Sequence, residues 1–172
     1  MNKNNFNVII SGFMGTGKTT IGKKIALRLN KKFIDTDQVL ENYFNKSIKS
    51  IFRIYGEKFF HKAEQGLCLK TIVTQMNCII SLGGGFVLPK EIIEQLNHCY
   101  LFCFNATPDV ILKRVFLNNK RPLINKMHTN KLDNIKNLLI ARKKNYANIA
   151  NQINIGNLSI NYITSQIIKF IS

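Results

Sequence analysis

The chemistry in this chain is densest at Gly12-Phe13-Met14-Gly15-Thr16-Gly17-Lys18-Thr19, which matches the G-x-x-x-x-G-K-[ST] phosphate-loop pattern in full. A short apolar, branched run from Phe6 to Ser11 precedes it. After it, Ile21, Ile25 and Leu29 recur at helical spacing from Lys18 onward. In that strand–loop–helix setting the loop amides and the helix N-terminus surround a phosphate, and glycine allows the chain to approach closely. Lys18 would bridge the β- and γ-phosphates and the Thr19 hydroxyl would bind Mg²⁺. Gly12, Met14, Gly15, Thr16, Gly17, Lys18, Thr19 and Thr20 are the nucleotide-binding candidates.

Two further clusters follow predicted strands. Asp35-Thr36-Asp37 comes directly after the strand ending at Phe33-Ile34. One carboxylate there could hold Mg²⁺ through water while the other orients or deprotonates an acceptor hydroxyl. The alternative is a helix cap, with Asp37 bonding the amides of the next turn, and the roles could coexist. Gly83-Gly84-Gly85 follows the strand Cys78 to Ser81 and gives backbone amides room to approach a ligand; a plain strand-to-helix turn accounts for it equally. Arginine is scarce, so Arg114, Arg121 and Arg142, around a polar segment from Asn118 to Asn130 that reads as a mobile loop, each carry information. A loop arginine closing over a phosphate is a familiar device for phosphoryl transfer.

The elements that must position these groups alternate. After the second strand a helical stretch runs to Phe44, and Ser47–Tyr55 and Glu57–Thr74 read as two helices separated by Gly56. Pro89 is a plausible first helical position before Glu91 to Leu96, and Tyr100 to Phe104 makes a fourth strand. Thr107-Pro108-Asp109 starts a helix, Leu132 to about Ala150 forms another, Gln152 to Ile155 is a weak strand, and Ser159 to Ile171 closes the chain. This alternation implies an α/β fold, a parallel sheet covered on both faces with ligands beyond the carboxyl ends of its strands.

Composition bounds the partners. The 172 residues make about one domain, and no run approaches the length of a membrane helix. The start, MNKNNFNVII, lacks the architecture of a secretory signal, and free thiols suit a reducing compartment, so a cytoplasmic location is expected. Lys and Arg outnumber Asp and Glu 25 to 9, a formal charge of +16. With 22 Asn, 25 Ile and 20 Lys against 5 Arg, adenine- and thymine-rich codons suffice to explain that excess. No nucleic-acid module signature is present, so a lysine-rich solvated surface is the expectation. Cys68, Cys78, Cys99 and Cys103 form no CxxC pair and read as small hydrophobes, and His98 as a strand-end residue.

Taken in order, the phosphate loop, Phe33-Ile34-Asp35-Thr36-Asp37, Gly56-Glu57-x-x-Phe60-x-x-x-Glu64, Ser81-Leu82-Gly83-Gly84-Gly85, Arg121-Pro122-Leu123, and Arg142 four before Tyr146 resemble the shikimate kinase family from about Val8 to Tyr146. The resemblance implies one P-loop domain of nucleoside-monophosphate-kinase type. Its five-stranded parallel sheet would have the order 2-3-1-4-5, with a substrate-binding helical segment at about 37–64 and a lid at about 118–130. It implies ATP-dependent phosphorylation of the 3-hydroxyl of shikimate, with Mg²⁺, by a monomer. Asp35 would help position Mg²⁺ and Asp37 would contact the shikimate hydroxyls. Gly83, Gly84, Gly85 and Arg142 would hold the ring and its carboxylate. Arg121 would reach phosphate and substrate from the lid, and Arg114 would stack on adenine. Lys18, Asp37 and Arg121 would be catalytic.

The chain departs from the family at His61, where members usually carry an arginine that pairs with the shikimate carboxylate. A histidine offers fewer donors, is shorter, and is only partly protonated near neutral pH, so weaker binding that tightens on acidification is expected. Alternatively Lys62 or Arg53 fills in. The segment Asn154-Ile155-Gly156-Asn157 also lacks the acidic-threonine pattern common in the family's adenine loop. The readings that compete are a same-fold kinase of another hydroxy acid such as gluconate, and a weakly catalytic nucleotide- and RNA-binding protein.

Overall fold

Strand β1 (Asn7–Gly12) is buried at every position, and its branched side chains explain why. Val8 and Ile10 point to one face of the sheet, where Ile21 and Ile25 of α1 (Lys18–Leu29) and Ile163, Ile167 and Ile171 of α7 (Ile160–Ile171) meet them. Ile9 points to the other face, against Cys68 and Ile72 of α3 (Ile48–Thr74), Ile111 of α5 (Pro108–Phe116) and Ile135 of α6 (Lys131–Tyr146). A strand with period-two side chains that are apolar throughout has to be covered twice, and it is. Each fully buried Ile contributes about 1.5–3 kcal/mol.

The computed structural model describes residues 5–96, 98–116, 131–156 and 158–172. The remaining elements are β2 (Lys32–Asp35), α2 (Thr36–Phe44), β3 (Cys78–Ser81), α4 (Lys90–Gln95), β4 (Cys99–Asn105) and β5 (Asn151–Asn154). All sheet pairings are parallel, in the order β2-β3-β1-β4-β5 that the resemblance implied. Parallel strands end together, so the loops after β1, β2 and β3 share one edge.

The run α3 is broken at Gly56, whose φ of 82° and ψ of 169° are non-helical, so it is two helical halves divided there as the sequence reading expects. Two local features differ slightly from that reading. Pro89 stands just outside α4 as its cap position rather than as its first helical residue. Helix α6 ends at Tyr146, short of Ala150. A separate small cluster of Leu40, Ile51, Phe52 and Phe60 holds α2 against both halves of α3. Cys68, Cys78 and Cys103 are buried and Cys99 half-buried, as small hydrophobes should be; burial pushes the Cys68 thiol up to about 12 and Cys103 to about 11. No helix among the described residues is long and apolar enough to cross a membrane.

Gly12 ends β1 with φ +134°, opposite Phe104 of β4. A Cβ there would stand 2.4 Å from the Phe104 carbonyl oxygen, and neither strand can retreat without losing its pairing. Gly12→Ala is therefore expected to cost about 3 kcal/mol, read as a thermal midpoint lowered by roughly 6–12 °C.

Candidate active site

The phosphate loop turns on Gly15 (φ 76°) and Gly17 (φ 83°), conformations that favour glycine. The Thr16 hydroxyl, fully buried, donates to the Phe13 carbonyl at 2.7 Å and closes the loop on itself. Gly17 gives α1 no side-chain cap, so the first-turn amides of Lys18, Thr19 and Thr20 remain available to an anion. Lys18 is buried, and its ammonium donates to the carbonyls of Gly12 at 2.7 Å and Phe13 at 3.0 Å. Arg114, on α5, bridges the loop to the segment after β5 through long hydrogen bonds to Gly15 O (3.4 Å) and Gly156 O (3.5 Å).

Asp35 at the end of β2 does two things. Its Oδ2 accepts from the Thr19 hydroxyl at 2.7 Å, and its Oδ1 accepts from the Asp37 amide at 3.0 Å. The helix cap is thus Asp35, not Asp37 as the capping alternative had it; Asp37 lies inside the first turn of α2, because β2 runs straight into that helix. Asp35 and Thr19 suit a divalent cation: a hard carboxylate and a hydroxyl already share one hydrogen bond. Across the β2–β3 register Asp35 pairs with Ser81, whose buried hydroxyl has no hydrogen-bond partner among the described residues.

The glycine triplet seats the acceptor side against the loop. The Gly83 amide donates to the Thr36 hydroxyl at 2.8 Å. A Cβ on Gly84 would lie 3.0 Å from the Met14 backbone, so the triplet and the phosphate loop touch chain to chain. A Cβ on Gly83 would meet Glu64 Oε1 at 2.5 Å and Asp37 Oδ1 at 2.6 Å, which places both carboxylates beside that residue; a Cβ on Gly85 would lie 3.0 Å from Glu64 Oε2. Arg142 donates to the Gly84 carbonyl at 2.6 Å, and its guanidinium lies over the Phe13 ring with 5.0 Å to the centroid. Lys18 and Arg142 therefore reach the same residue, Phe13, one through its carbonyl and the other through its ring. A cleft of about 460 Å³ runs past Met14, Thr19, Asp35, Asp37, Glu64 and Gly85.

His61 projects from α3 with its side chain 40% exposed, Nδ1 3.3 Å from Glu64 Oε2 and Nε2 3.6 Å from Glu57 Oε1. Lys62 and Arg53 are exposed. Arg121 and the lid segment at about 118–130 lie outside the described residues. Sequence reasoning quoted Glu64 within a motif but gave it no role. The i, i+3 and i, i+4 spacing of Glu57, His61 and Glu64 was the available signal. It overlooked Phe13 as a platform for Arg142 and quoted Tyr146 without a role; burial pushes the Tyr146 hydroxyl up to about 12, the nearby Arg142 opposing the shift. Nothing in the sequence pointed to Phe13, since the residue types between the loop glycines are free to vary.

A family model described as shikimate kinase matches residues 14–172. The shikimate kinase of Thermoanaerobacter pseudethanolicus is 35% identical over 164 residues, which span 95% of this chain and 94% of that protein. Among solved structures, a shikimate kinase from Bacteroides thetaiotaomicron superposes with a TM-score of 0.83 at 26% identity, covering 96% of this chain and 98% of that one. One from Acinetobacter baumannii, solved in complex with shikimate, gives 0.85 at 23% identity over 96% and 92% of the two chains, a likeness of fold.

Proposed function

The chain belongs to the shikimate kinase family, and on that premise we propose that it transfers the γ-phosphoryl group of ATP to the 3-hydroxyl of shikimate. The observation that carries this reading is the chain-to-chain contact of Gly84 with Met14. It sets an acceptor pocket lined by Asp37 and Glu64 directly beside the phosphate loop. Family membership favours shikimate over gluconate or an RNA as the second ligand.

In this mechanism the loop amides and Lys18 hold the β- and γ-phosphates, and Arg121 neutralises the transferring group from the lid. Arg114 supports the adenine end. Gly83, Gly84, Gly85, His61 and Arg142 hold the ring and its carboxylate, and Asp37 orients the 3-hydroxyl and takes its proton. The bond to that oxygen forms as the bond to the β-phosphate bridge oxygen breaks. Thr19 and Asp35 would hold Mg²⁺, which when bound supplies charge neutralisation between the phosphates. The segment at about 37–64 serves the substrate and that at about 118–130 the lid, within one domain. A monomer working in the cytoplasm accompanies this reading, in keeping with a biosynthetic enzyme.

The test is ADP release coupled to a dehydrogenase reporter, with shikimate and gluconate compared at equal concentration. Strong stimulation by shikimate is expected; stimulation by gluconate alone would overturn the reading. Arg142→Ala is expected to raise the KM for shikimate about 10- to 100-fold, because a charged contact to the carboxylate is lost. The KM for ATP should change far less, as measured in the same assay.

A further inference from the structure

We propose that Thr36 is a positioning residue for phosphoryl transfer: its hydroxyl takes the Gly83 amide and so keeps that donor from bonding the Asp37 carboxylate, the group that serves the acceptor hydroxyl. The inference rests on the functional reading above and gives a role to the middle residue of Asp35-Thr36-Asp37.

Thr36 opens α2 directly after the Asp35 cap and is 2% exposed, behind the cleft rather than in its wall. Its Oγ1 accepts from the Gly83 amide at 2.8 Å, a bond between buried groups 47 residues apart in the chain. The surroundings of Gly83 are otherwise acidic. A Cβ on it would stand 2.5 Å from Glu64 Oε1 and 2.6 Å from Asp37 Oδ1. Ionised carboxylates are the stronger acceptors, yet the amide goes to the neutral hydroxyl. Placement decides this, not acceptor strength. The consequence is chemical, because an amide bonded to a carboxylate favours its charged form and makes it a weaker base.

The same bond fixes distances across the site. One peptide link joins Thr36 to Asp35, whose Oδ2 accepts from the Thr19 hydroxyl, and another joins it to Asp37. Gly83 leads into Gly84, where a Cβ would lie 3.0 Å from the Met14 backbone. A single hydrogen bond thus ties the carboxylates after β2 to the phosphate loop by way of the triplet. Cys68 of α3 lies at this junction, 1% exposed. Burial pushes its thiol up, and the Thr36 hydroxyl and the Gly83 amide both oppose that rise. Sulfur is a weak acceptor, so it does not draw the amide away from Thr36.

Serine carries the same oxygen as threonine, and valine carries the shape without it. The experiment measures kcat and the KM for shikimate at saturating ATP and Mg²⁺ for the native enzyme, Thr36→Ser, Thr36→Val and Thr36→Ala, with thermal midpoints alongside. Thr36→Val leaves the Gly83 amide with the two carboxylates as its neighbouring acceptors. Its kcat is expected to fall about 10- to 100-fold, with the KM for shikimate within about 3-fold of native. Thr36→Ser should stay within about 3-fold of native in both, its looser χ1 accounting for any loss. Thr36→Ala is expected to follow Thr36→Val and stands in for it should valine prevent folding. Independently of turnover, the Gly83 amide proton, followed by NMR, should move downfield in Thr36→Val and hold its place in Thr36→Ser. A merely structural threonine would lower the thermal midpoint and leave the kcat of folded enzyme unchanged. Turnover of Thr36→Val and Thr36→Ala within about 2-fold of native, equal losses in Thr36→Ser and Thr36→Val, or a Gly83 amide unmoved in Thr36→Val overturns this inference and leaves the kinase reading standing. No shikimate-dependent ADP release from the native enzyme overturns the kinase reading itself.

Discussion

Lys18→Ala is expected to lower kcat about 10³-fold or more, roughly 4 kcal/mol of transition-state stabilisation. The size follows from where the ammonium sits. It is buried, with its donors on the Gly12 and Phe13 carbonyls, inside the same turn whose amides await a phosphate. A charge held in a water-poor loop acts with little screening, and it is in place before the reaction begins. Truncation removes that charge and leaves two loop carbonyls without their donor, so the folded loop also loosens. Thermal unfolding separates the two effects. A fall in kcat of this size with a midpoint shift of only a few degrees assigns the loss to chemistry. Turnover within about 10-fold of native would sink the role given to Lys18.

What could be read before the fold was known divides along a physical line. β1 and its loop were legible because each residue there answers to a local rule: branched apolar residues for a doubly covered strand, and glycine where φ is positive at Gly15 and Gly17. The strand order was not contained in any local pattern. It came with the family resemblance, and the pairings of β1 with β3 and β4 bear it out. Element ends moved by a residue or a few, as at Pro89 and Tyr146, where apolar periodicity fades before the chain changes direction.

The acceptor side was legible in type but not in geometry. Asp35 and Asp37 were recognisable as a pair, yet which of them caps α2 depends on β2 running into the helix without a connecting turn. Glu64 was hidden for a different reason. It sits mid-helix among polar residues, where a glutamate is ordinarily solvated, and only the fold brings it under Gly83 and Gly85 and beside His61. The spacing of Glu57, His61 and Glu64 signals their pairing along the helix, but the burial of Glu64 beside the glycine triplet comes from long-range contact alone. The same holds for Phe13, which links Lys18 to Arg142 only because α6 returns over the loop.

Asp37→Asn is the second change with a large expected effect, a fall in kcat of about 10²- to 10⁴-fold. The amide keeps the size of the carboxylate and can still hold the acceptor hydroxyl, but it cannot take the proton. Its backbone amide goes on donating to Asp35 Oδ1, so the start of α2 is preserved. Asp37 Oδ1 and Glu64 Oε1 both lie beside the point a Gly83 Cβ would occupy, at 2.6 and 2.5 Å, so Glu64 is the neighbouring carboxylate able to substitute. Glu64 shares one oxygen, Oε2, with His61 at 3.3 Å, and that contact draws on its capacity to act as a base. The expected signature is therefore a large loss in kcat with a modest change in the KM for shikimate and a thermal midpoint within a few degrees of native. The Glu64→Gln variant provides the contrast: it should shift the pH dependence of KM to lower pH, since His61 loses the partner that raises it most. Were Asp37→Asn to keep kcat within a few-fold of native while Glu64→Gln lost it, the proton acceptor would be Glu64, and the roles of the two carboxylates around Gly83 would have to be exchanged.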